Sequence, residues 1–249
     1  NTPFDCVVTV HTNPQTCGVA RFNIELAKRL GVPLVGWWDA ARYAVPLWSY
    51  RPDELSVAHK ARWFTGPELV HSARGVLYQN GDSQWLHCPS APLPEAQERN
   101  GLRILSFGMA HKLLVQPYVR LGDLLGDWLY TLRLSTAIHE GYVLQDADQT
   151  LVELQAIFGD RLAYLGCLSD VALAEEVRAA DVIAAFFPAG VRANNTTVHM
   201  AMAAGKCVIT NLDEDSPAEF KHGLNILDIN RMERMPNLAE RFAIGNQAY

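Results

Sequence analysis

The sequence has few of the features that mark secreted, metal-binding or membrane-spanning proteins. It has five cysteines in 249 residues and no C-x-x-C pair, which excludes the common zinc and dithiol motifs. The odd number and wide scatter of the cysteines fit a reducing compartment. No apolar run approaches the ~20 residues of a membrane-spanning helix, and the amino-terminal stretch lacks the residue order of a signal peptide. We therefore expect a cytoplasmic protein with at most peripheral membrane contact.

Positive charge is also scarce. Lys and Arg number 21 against 27 Asp and Glu, a formal net charge of −6. Such a chain has no excess of cations with which to displace counterions from nucleic acid, so we expect no nucleic-acid partner. The first strand-to-helix loop also lacks the G-x-G-x-x-G pattern and has the single Gly18 instead. This disfavours a nicotinamide-dependent oxidoreductase.

What the chain does have is an alternation of strand and helix patterns, in a composition that is 49% hydrophobic and sufficient for a core. Residues 6–10 predict a strand, the apolar period over 18–30 a helix, and 33–38 a second strand, which is the order of a parallel crossover unit. Residues 40–72 show neither a helical nor a strand period, so the sequence predicts no element there. Residues 75–78 predict another strand.

The second half repeats this order more clearly. Strands are predicted at 102–107, 129–132, 162–165, 182–187 and 207–210. Helices are predicted at 114–125, 151–158, 170–179, 196–204 and 238–242. A proline-rich linker at 88–94 separates the halves, so we predict two domains, 1–97 and 98–249. The alternation predicts an α/β fold of two Rossmann-like domains with parallel sheets, the first domain compact.

Ligands of such sheets bind at loops that lead from a strand into a helix, because exposed amides and the helix dipole attract anions there. The first such loop is HTNPQTCG, residues 11–18. Gly18 would let the backbone approach a ligand closely, although a glycine here also serves simply as a turn residue. No fixed spacing in the sequence identifies a catalytic partner for His11, and a polar residue at a strand end is more often structural.

Two further loops qualify. In FGMAHK, residues 107–112, Lys112 lies at a helix start, where the dipole disfavours a lysine and thus favours a phosphate ligand over a solvated surface charge. Both readings stay open. The third loop, residues 187–197, leads into the helix predicted at 196–204.

Polar residues collect in this third loop. They are Arg192, Asn194, Asn195, Thr196 and Thr197. One of them is enough to cap a helix, and the surplus together with an arginine favours a phosphate pocket.

Several segments resemble, in the same order along the chain, the retaining glycosyltransferases of family 4, which have the GT-B fold. MAMAAGKCVITN at 200–211 is similar to the family's E-A-M-A-x-G-x-P-V-V segment. The other similar segments are GVARFNIELAKRL at 18–30, ILSFGMAHK at 104–112, LAYLGCLSDVALAEEVRAADVIAAFFPA at 162–189 and EFKHGLNIL at 219–227. The resemblance covers the second half nearly throughout and the first half in patches.

The resemblance implies a glycosyltransferase of polysaccharide biosynthesis that moves a sugar from a nucleotide-diphosphate donor to a carbohydrate or related acceptor, with no metal or other cofactor. It implies that Lys112, Arg192 and the amides of 194–197 stabilise the leaving diphosphate. Two family glutamates fall here on Arg192 and Met200. A guanidinium accepts no hydrogen bond and a thioether accepts only weakly. The alternative is a catalytically altered GT-B domain that binds a nucleotide, a sugar or a protein partner without transfer.

Overall fold

The computed structural model describes residues 2–14, 17–54, 66–72, 75–78, 82–86, 101–110, 113–137 and 145–248. The chain divides into two compact units. The first unit is Asn1–Ser90 with Arg192–Thr196, and the second is Ala91–Val191 with Thr197–Tyr249. The domain boundary predicted at 97/98 falls in 87–100, outside the described residues.

The first unit is built on a six-stranded sheet. Its strands are β1 (Cys6–Thr9), β2 (Leu34–Gly36), β3 (Pro46–Tyr50), β4 (Glu68–Ser72), β5 (Gly75–Tyr78) and β6 (Asp82–Leu86), in the spatial order β2-β1-β3-β4-β5-β6. Helix α1 (Gly18–Leu30) connects β1 to β2, and a 3₁₀ helix (Trp37–Arg42) connects β2 to β3. β1 to β4 pair in parallel, whereas β5 and β6 pair antiparallel. The connections at 73–74 and 79–81 are too short for a parallel crossover, so this end of the sheet reverses.

The second unit has an entirely parallel sheet. Its strands are β7 (Leu102–Met109), β8 (Tyr130–Ala137), β9 (Leu162–Gly166), β10 (Val182–Ala184), β11 (Cys207–Thr210) and β12 (Leu227–Asp228), in the order β12-β11-β10-β7-β8-β9. Its helices are α2 (Val115–Leu125), α3 (Gln145–Phe158), α4 (Asp170–Ala179), α5 (Thr196–Ala203) and α6 (Leu238–Ala248). The predicted α/β architecture with two sheets is confirmed.

Helix ends follow local chemistry. After α1, Gly31 takes the left-handed conformation at φ 69°, which glycine adopts without a steric penalty. Its amide donates to the Lys28 carbonyl at 3.2 Å. At the start of α4, the Ser169 side chain accepts a hydrogen bond from the Ala172 amide at 3.3 Å. Both ends lie where the sequence predicts them.

Strand ends differ more from the predictions. The strand predicted at 33–38 stops at Gly36, where the 3₁₀ helix begins. The strand predicted at 182–187 stops at Ala184, although Ala185 and Phe186 remain buried. An apolar run reports burial, and burial continues here after strand pairing has ended.

Apolar side chains cover both faces of the first sheet. Val7 packs with Phe22 on the α1 side, whereas Cys6, Val8 and Trp48 pack on the opposite side. This alternation is the two-residue period of a strand. The second sheet is likewise buried on both faces, as parallel sheets require.

Candidate functional site

The carboxyl ends of three neighbouring strands lie in register at one edge of the first sheet. Gly36 of β2 pairs with Thr9 of β1, and Thr9 pairs with Ser49 of β3. The chain leaves this edge into the loop 11–18 and into a turn at 51–54. Parallel sheets hold their ligands at this edge, so functional residues of the first unit are expected here.

A buried carboxylate lies at this edge. The side chain of Glu54 is 2% exposed, and its Oε1 lies 3.0 Å from Nε of Arg51 and 3.5 Å from Nε2 of His11. Its Oε2 accepts a hydrogen bond from the Arg51 amide at 2.8 Å. The side chains of His11 and Arg51 are 34% and 37% exposed. The cluster therefore joins one buried anion to two partly exposed nitrogen groups.

Sequence reasoning missed Arg51 and Glu54. Every residue of β3 is buried, so this strand has no alternation that could have identified it. The available signal was the change from an apolar run to Arg-Pro-Asp-Glu at 51–54, which is typical of a chain leaving a sheet.

Cys17 precedes α1 and is buried. Burial is the main cause that raises the pKa of its thiol. Glu54 raises this pKa further and Arg51 lowers it, so both charges act on the start of α1. A protonated, buried thiol is a poor nucleophile, which leaves Cys17 a packing role.

Gly18 is the first residue of α1. A Cβ atom built on it would lie 3.7 Å from Oγ1 of Thr196, which is ordinary van der Waals contact. Its φ angle is not positive. Neither packing nor backbone conformation demands a glycine here, and its role in admitting a ligand stays a prediction.

The segment Arg192–Thr196 belongs to the first unit, although the chain on either side belongs to the second. Oδ1 of Asn195 accepts a hydrogen bond from the Arg192 amide at 2.5 Å, and the Asn195 amide donates to the Arg192 carbonyl at 3.1 Å. Nδ2 of Asn194 donates to the Ser72 carbonyl at 3.3 Å. The two asparagines thus hold this segment in shape, and Arg192 is only 6% exposed.

Thr196 and Thr197 are the first two residues of α5, where the sequence predicts the helix to begin. Both are half-buried. Within the second unit, a Cβ atom built on Gly108 at the end of β7 would lie 3.8 Å from Oγ1 of Thr197. The first amides of a helix have no intrahelical partner, so this helix start offers donors to an anion.

The loop before α5 is held by the loop after β11. Nδ2 of Asn211 donates to the Phe187 carbonyl at 2.8 Å, and Oδ1 of Asn211 accepts from the Phe187 amide at 2.9 Å. Gly190 has φ 70°, and a Cβ atom there would lie 2.4 Å from Oδ2 of Asp213. Two loops at the carboxyl edge of the second sheet are therefore packed tightly against each other.

Lys112, predicted to contact a phosphate, lies outside the described residues. The structure therefore leaves this assignment a prediction, together with the direct binding roles of Gly18, Arg192, Asn194, Asn195, Thr196 and Thr197.

A buried polar chain runs beneath the first sheet. Nδ2 of Asn23 on α1 donates hydrogen bonds to Oγ1 of Thr9 at 2.9 Å and to the Ser49 carbonyl at 3.3 Å. Oγ1 of Thr9 donates to the His11 carbonyl at 2.7 Å. Oγ of Ser49 lies 2.9 Å from Nε2 of His71. These hydrogen bonds fix the point where the loop 11–18 leaves β1.

In the described ranges, no group of three or more His, Cys, Asp and Glu residues has a geometry that could hold a metal ion. No helix among these same residues is long and apolar enough to cross a membrane.

Comparison with known proteins gives matches of structure and none of sequence. No family model matches the chain, and no curated protein matches it. The crystal structure of Anabaena Alr3699/HepE in complex with UDP and glucose is similar, with a TM-score of 0.61 and 12% identity over 98% of this chain and 93% of that one.

Two glycosyltransferases also have similar structures. AviGT4, which is involved in avilamycin A biosynthesis, has a TM-score of 0.59 and 12% identity over 84% of this chain and 79% of that one. A glycosyltransferase from Rickettsia africae has a TM-score of 0.54 and 8% identity over 98% of this chain and 91% of that one. The chain therefore has the two-sheet α/β fold of GT-B glycosyltransferases.

Proposed function

We propose that this protein is a glycosyltransferase that moves a sugar from a nucleotide-diphosphate donor to a carbohydrate or related acceptor. The observation that carries the proposal is the shared fold with HepE, whose crystal structure contains UDP and glucose, over nearly the whole of both chains. Fold alone does not define chemistry, so the assignment also draws on the residues at the strand-to-helix loops.

The start of α5 is the proposed diphosphate site. Its first amides point outward from the helix, and the helix dipole adds partial positive charge. Arg192 stands four residues before this start, and Asn194 and Asn195 hold the intervening backbone. Thr196 and Thr197 add hydroxyl groups to this proposed site, and Lys112 is proposed as a further cation.

Chemistry at such a site requires positive groups where negative charge develops on the leaving diphosphate. Guanidinium, ammonium and helix amides meet this requirement without a metal ion. We accordingly propose a reaction that needs no metal ion. We also propose that the anomeric configuration is retained, as the resemblance to family 4 implies.

Binding and transfer should be measured separately. Titration calorimetry with UDP and GDP tests the nucleotide site, and a panel of UDP- and GDP-linked sugars with carbohydrate acceptors tests transfer. Added EDTA tests metal independence, and NMR of the product's anomeric proton tests retention. Binding with turnover supports the proposal. Absence of both binding and turnover across the panel would overturn it.

A second candidate is a domain that binds a nucleotide sugar without transferring it. Residues 187–203 contain no Asp or Glu, and Met200 packs against the apolar cluster on one face of the second sheet. The segment therefore lacks the two carboxylates expected from the family. Nucleotide affinity without turnover for any donor would favour this candidate.

A further inference from the structure

We propose that the indole of Trp38 is a stacking surface for the acceptor, and that the acceptor presents a pyranose ring to it. The inference rests on the proposed function, because it names the chemical class of the molecule that receives the transferred sugar. Gly36 is in this scheme a positioning residue that acts through Trp38.

Trp38 lies at the edge of the first sheet where ligands are expected. Gly36 ends β2 at the carboxyl edge and pairs with Thr9 of β1. The 3₁₀ helix begins at the next residue, so Trp38 follows the strand end directly. Trp38 is nevertheless 57% exposed. An indole contributes to stability mainly through the apolar area it buries, so the folding of the first unit gains little from this exposed area.

Gly36 lies against one face of the indole. A Cβ atom built on Gly36 would be 2.4 Å from Cζ2, 2.5 Å from Cε2 and 2.7 Å from Cη2 of Trp38. Three such similar distances to consecutive ring atoms place this point over the ring face and not beside the ring edge. The backbone of Gly36 has φ −69° and ψ 153°, which any residue adopts. The indole, and not the backbone conformation, therefore requires a glycine here.

Trp38 also contacts Trp37. Their ring centroids are 6.0 Å apart and the ring planes meet at 76°. Trp37 in turn packs on the apolar cluster that covers the side of the first sheet opposite α1. The indole of Trp38 is thus held in one orientation before a ligand binds, which lowers the entropic cost of binding. Because Gly36 covers one ring face, the exposed area belongs to the opposite face and the ring edge.

Two charged residues of the same 3₁₀ helix follow Trp38. Oδ1 of Asp39 lies 3.0 Å from Nη1 of Arg42. A carboxylate accepts hydrogen bonds and a guanidinium donates them, so this pair offers both to a ligand without net charge. An apolar surface with a few polar groups beside it is typical of small-molecule sites. It is complementary to a neutral molecule that has an apolar face and a rim of hydroxyl groups.

A pyranose ring is such a molecule. When its substituents are equatorial, as in a β-glucoside, each ring face carries axial C–H groups and the hydroxyl groups project from the rim. The C–H groups carry partial positive charge, and the face of an indole is the negative side of its quadrupole. Nucleobases also stack on aromatic rings, but we assign the nucleotide to the start of α5. The test therefore separates a sugar from a nucleobase and from a second copy of this chain.

Sugar binding can be measured without any transfer. The probes are methyl β-D-glucopyranoside, methyl β-D-galactopyranoside and methyl α-D-mannopyranoside, each added to the full chain without a donor. Saturation-transfer difference NMR should show the strongest signals at the axial protons of one ring face. Trp38→Ala should weaken binding roughly tenfold, and Trp38→Phe should weaken it less because a smaller ring remains.

Gly36→Ala tests the support of the indole. The backbone accepts alanine, and the added methyl group displaces a side chain that is exposed, so the urea midpoint should stay close to wild type. Sugar binding should nevertheless weaken as in Trp38→Ala. The double variant should bind no more weakly than Trp38→Ala, because both changes act through one ring. A glycine with a purely structural role would instead give additive losses, which would overturn its positioning role.

Trp128→Ala is the matched control. Trp128 is an exposed tryptophan of the second unit, and its ring lies under the Arg241 guanidinium at 6.0 Å. Sugar binding should be unchanged in this variant. If Gly36→Ala fails to fold, the comparison of Trp38→Ala, Trp38→Phe and Trp128→Ala decides alone.

Kinetics give a second readout. Trp38→Ala should raise KM for the acceptor roughly tenfold and keep kcat within about threefold, because stacking stabilises the bound substrate and the transition state alike. The Kd for UDP and GDP should stay within about twofold of wild type, because the nucleotide is bound elsewhere. A Kd for UDP or GDP that rises as much as the acceptor KM would assign the indole to the nucleobase and overturn the proposal.

The outcomes separate this inference from the proposed function. Sugar binding that depends on Trp38, in a protein that transfers no sugar from any donor, would overturn the transferase and leave the stacking surface. An active wild type whose Trp38→Ala variant keeps its acceptor KM would overturn the stacking surface alone, as would a wild type that binds no sugar of the panel. In sedimentation velocity, wild-type dimers that become monomers in Trp38→Ala, with sugar binding unchanged, would assign the indole to a second copy of the chain.

Discussion

Gly18 begins α1, yet an alanine fits there. The nearest atom to a Cβ at this position is 3.7 Å away, and α1 needs no glycine conformation at its first residue. Gly18→Ala should therefore leave the free energy of unfolding unchanged or raise it by up to about 1 kcal/mol. If a ligand lies against this backbone, nucleotide affinity should fall roughly tenfold.

Urea unfolding and calorimetry with UDP and GDP check this prediction. Gly122→Ala in α2 is the control for adding a methyl group to a helix. A Cβ atom on Gly122 would lie 3.4 Å from its nearest atom, on Ile157, which is also a tolerable distance. Equal nucleotide affinity for Gly18→Ala and wild type would make Gly18 a turn residue only.

Gly190 shows the opposite behaviour. Its φ is 70°, and a Cβ there would approach Oδ2 of Asp213 to 2.4 Å. That carboxylate is held by the Asp215 amide and the Ser216 hydroxyl, both at 3.1 Å from Oδ1. Gly190→Ala should lower the free energy of unfolding by about 1 kcal/mol for the backbone and by a further ~1–3 kcal/mol for the clash.

The control for Gly190→Ala is Gly205→Ala, which has a similar φ of 64° but no atom within 4 Å of the added Cβ. Denaturant unfolding of the two variants separates backbone strain from packing. Equal destabilisation would show that Asp213 moves away freely, and that the two loops are not packed as tightly as the distance indicates.

His71 couples the buried polar chain to pH. Burial, and to a smaller extent the Arg51 charge, lower its pKa from 6.5 to about 3. Between these values the unfolded chain binds a proton that the folded protein does not, so stability falls as the pH falls. The expected loss is roughly 1 kcal/mol per pH unit.

Urea midpoints at several pH values between 3 and 7 measure this slope. His71→Gln keeps a hydrogen-bonding partner for Oγ of Ser49, at 2.9 Å from the imidazole nitrogen in the wild type, and cannot be protonated. It should therefore show a shallower loss of stability on acidification. An equally steep loss would assign the effect to other groups.

At the scale of elements, the start of α5 is the part of the proposed site that side-chain replacements alone cannot test. Proline is tolerated at the first position of a helix, so Thr196→Pro removes one backbone donor while keeping the helix. Loss of a hydrogen bond to a charged phosphate should cost about 1.5–3 kcal/mol, one to two decades in Kd.

Thr196→Ala is the matched control for this element, because it removes the hydroxyl and keeps the amide. Calorimetry with UDP and GDP should show a larger loss for the proline variant than for the alanine variant. Unchanged affinity in Thr196→Pro, with circular dichroism equal to wild type, would remove the α5 start from the nucleotide site.

At the scale of the whole molecule, a nucleotide that binds the folded protein alone stabilises it by mass action. At a nucleotide concentration of 100 times Kd, the free energy of unfolding rises by about 2.7 kcal/mol. For a protein of 150–250 residues, each kcal/mol raises Tm by about 2–4 °C. Scanning calorimetry with UDP or GDP should show this rise in wild type and a smaller one in Thr196→Pro. No shift with millimolar UDP or GDP would contradict the proposed nucleotide site.

The sequence by itself determined the elements whose cause is local. The apolar period over 18–30 and the glycine after it predict α1 and its end, and Ser169 predicts the start of α4. The alternation of these elements was enough for the two-sheet fold, because a strand that is followed by a helix pairs with its parallel neighbour. The polar residues around the α5 start were likewise visible in the sequence.

Tertiary structure alone decided the rest. β3 is uniformly buried and has no period of its own, and the strand order β2-β1-β3-β4 depends on which strands pair in the folded sheet. The pairing of His11 with Glu54 is decided in the same way, because it requires β1 and β3 to lie side by side in register. Spacing along a chain records local geometry, whereas the partner of a buried carboxylate is selected by the packing of the sheet.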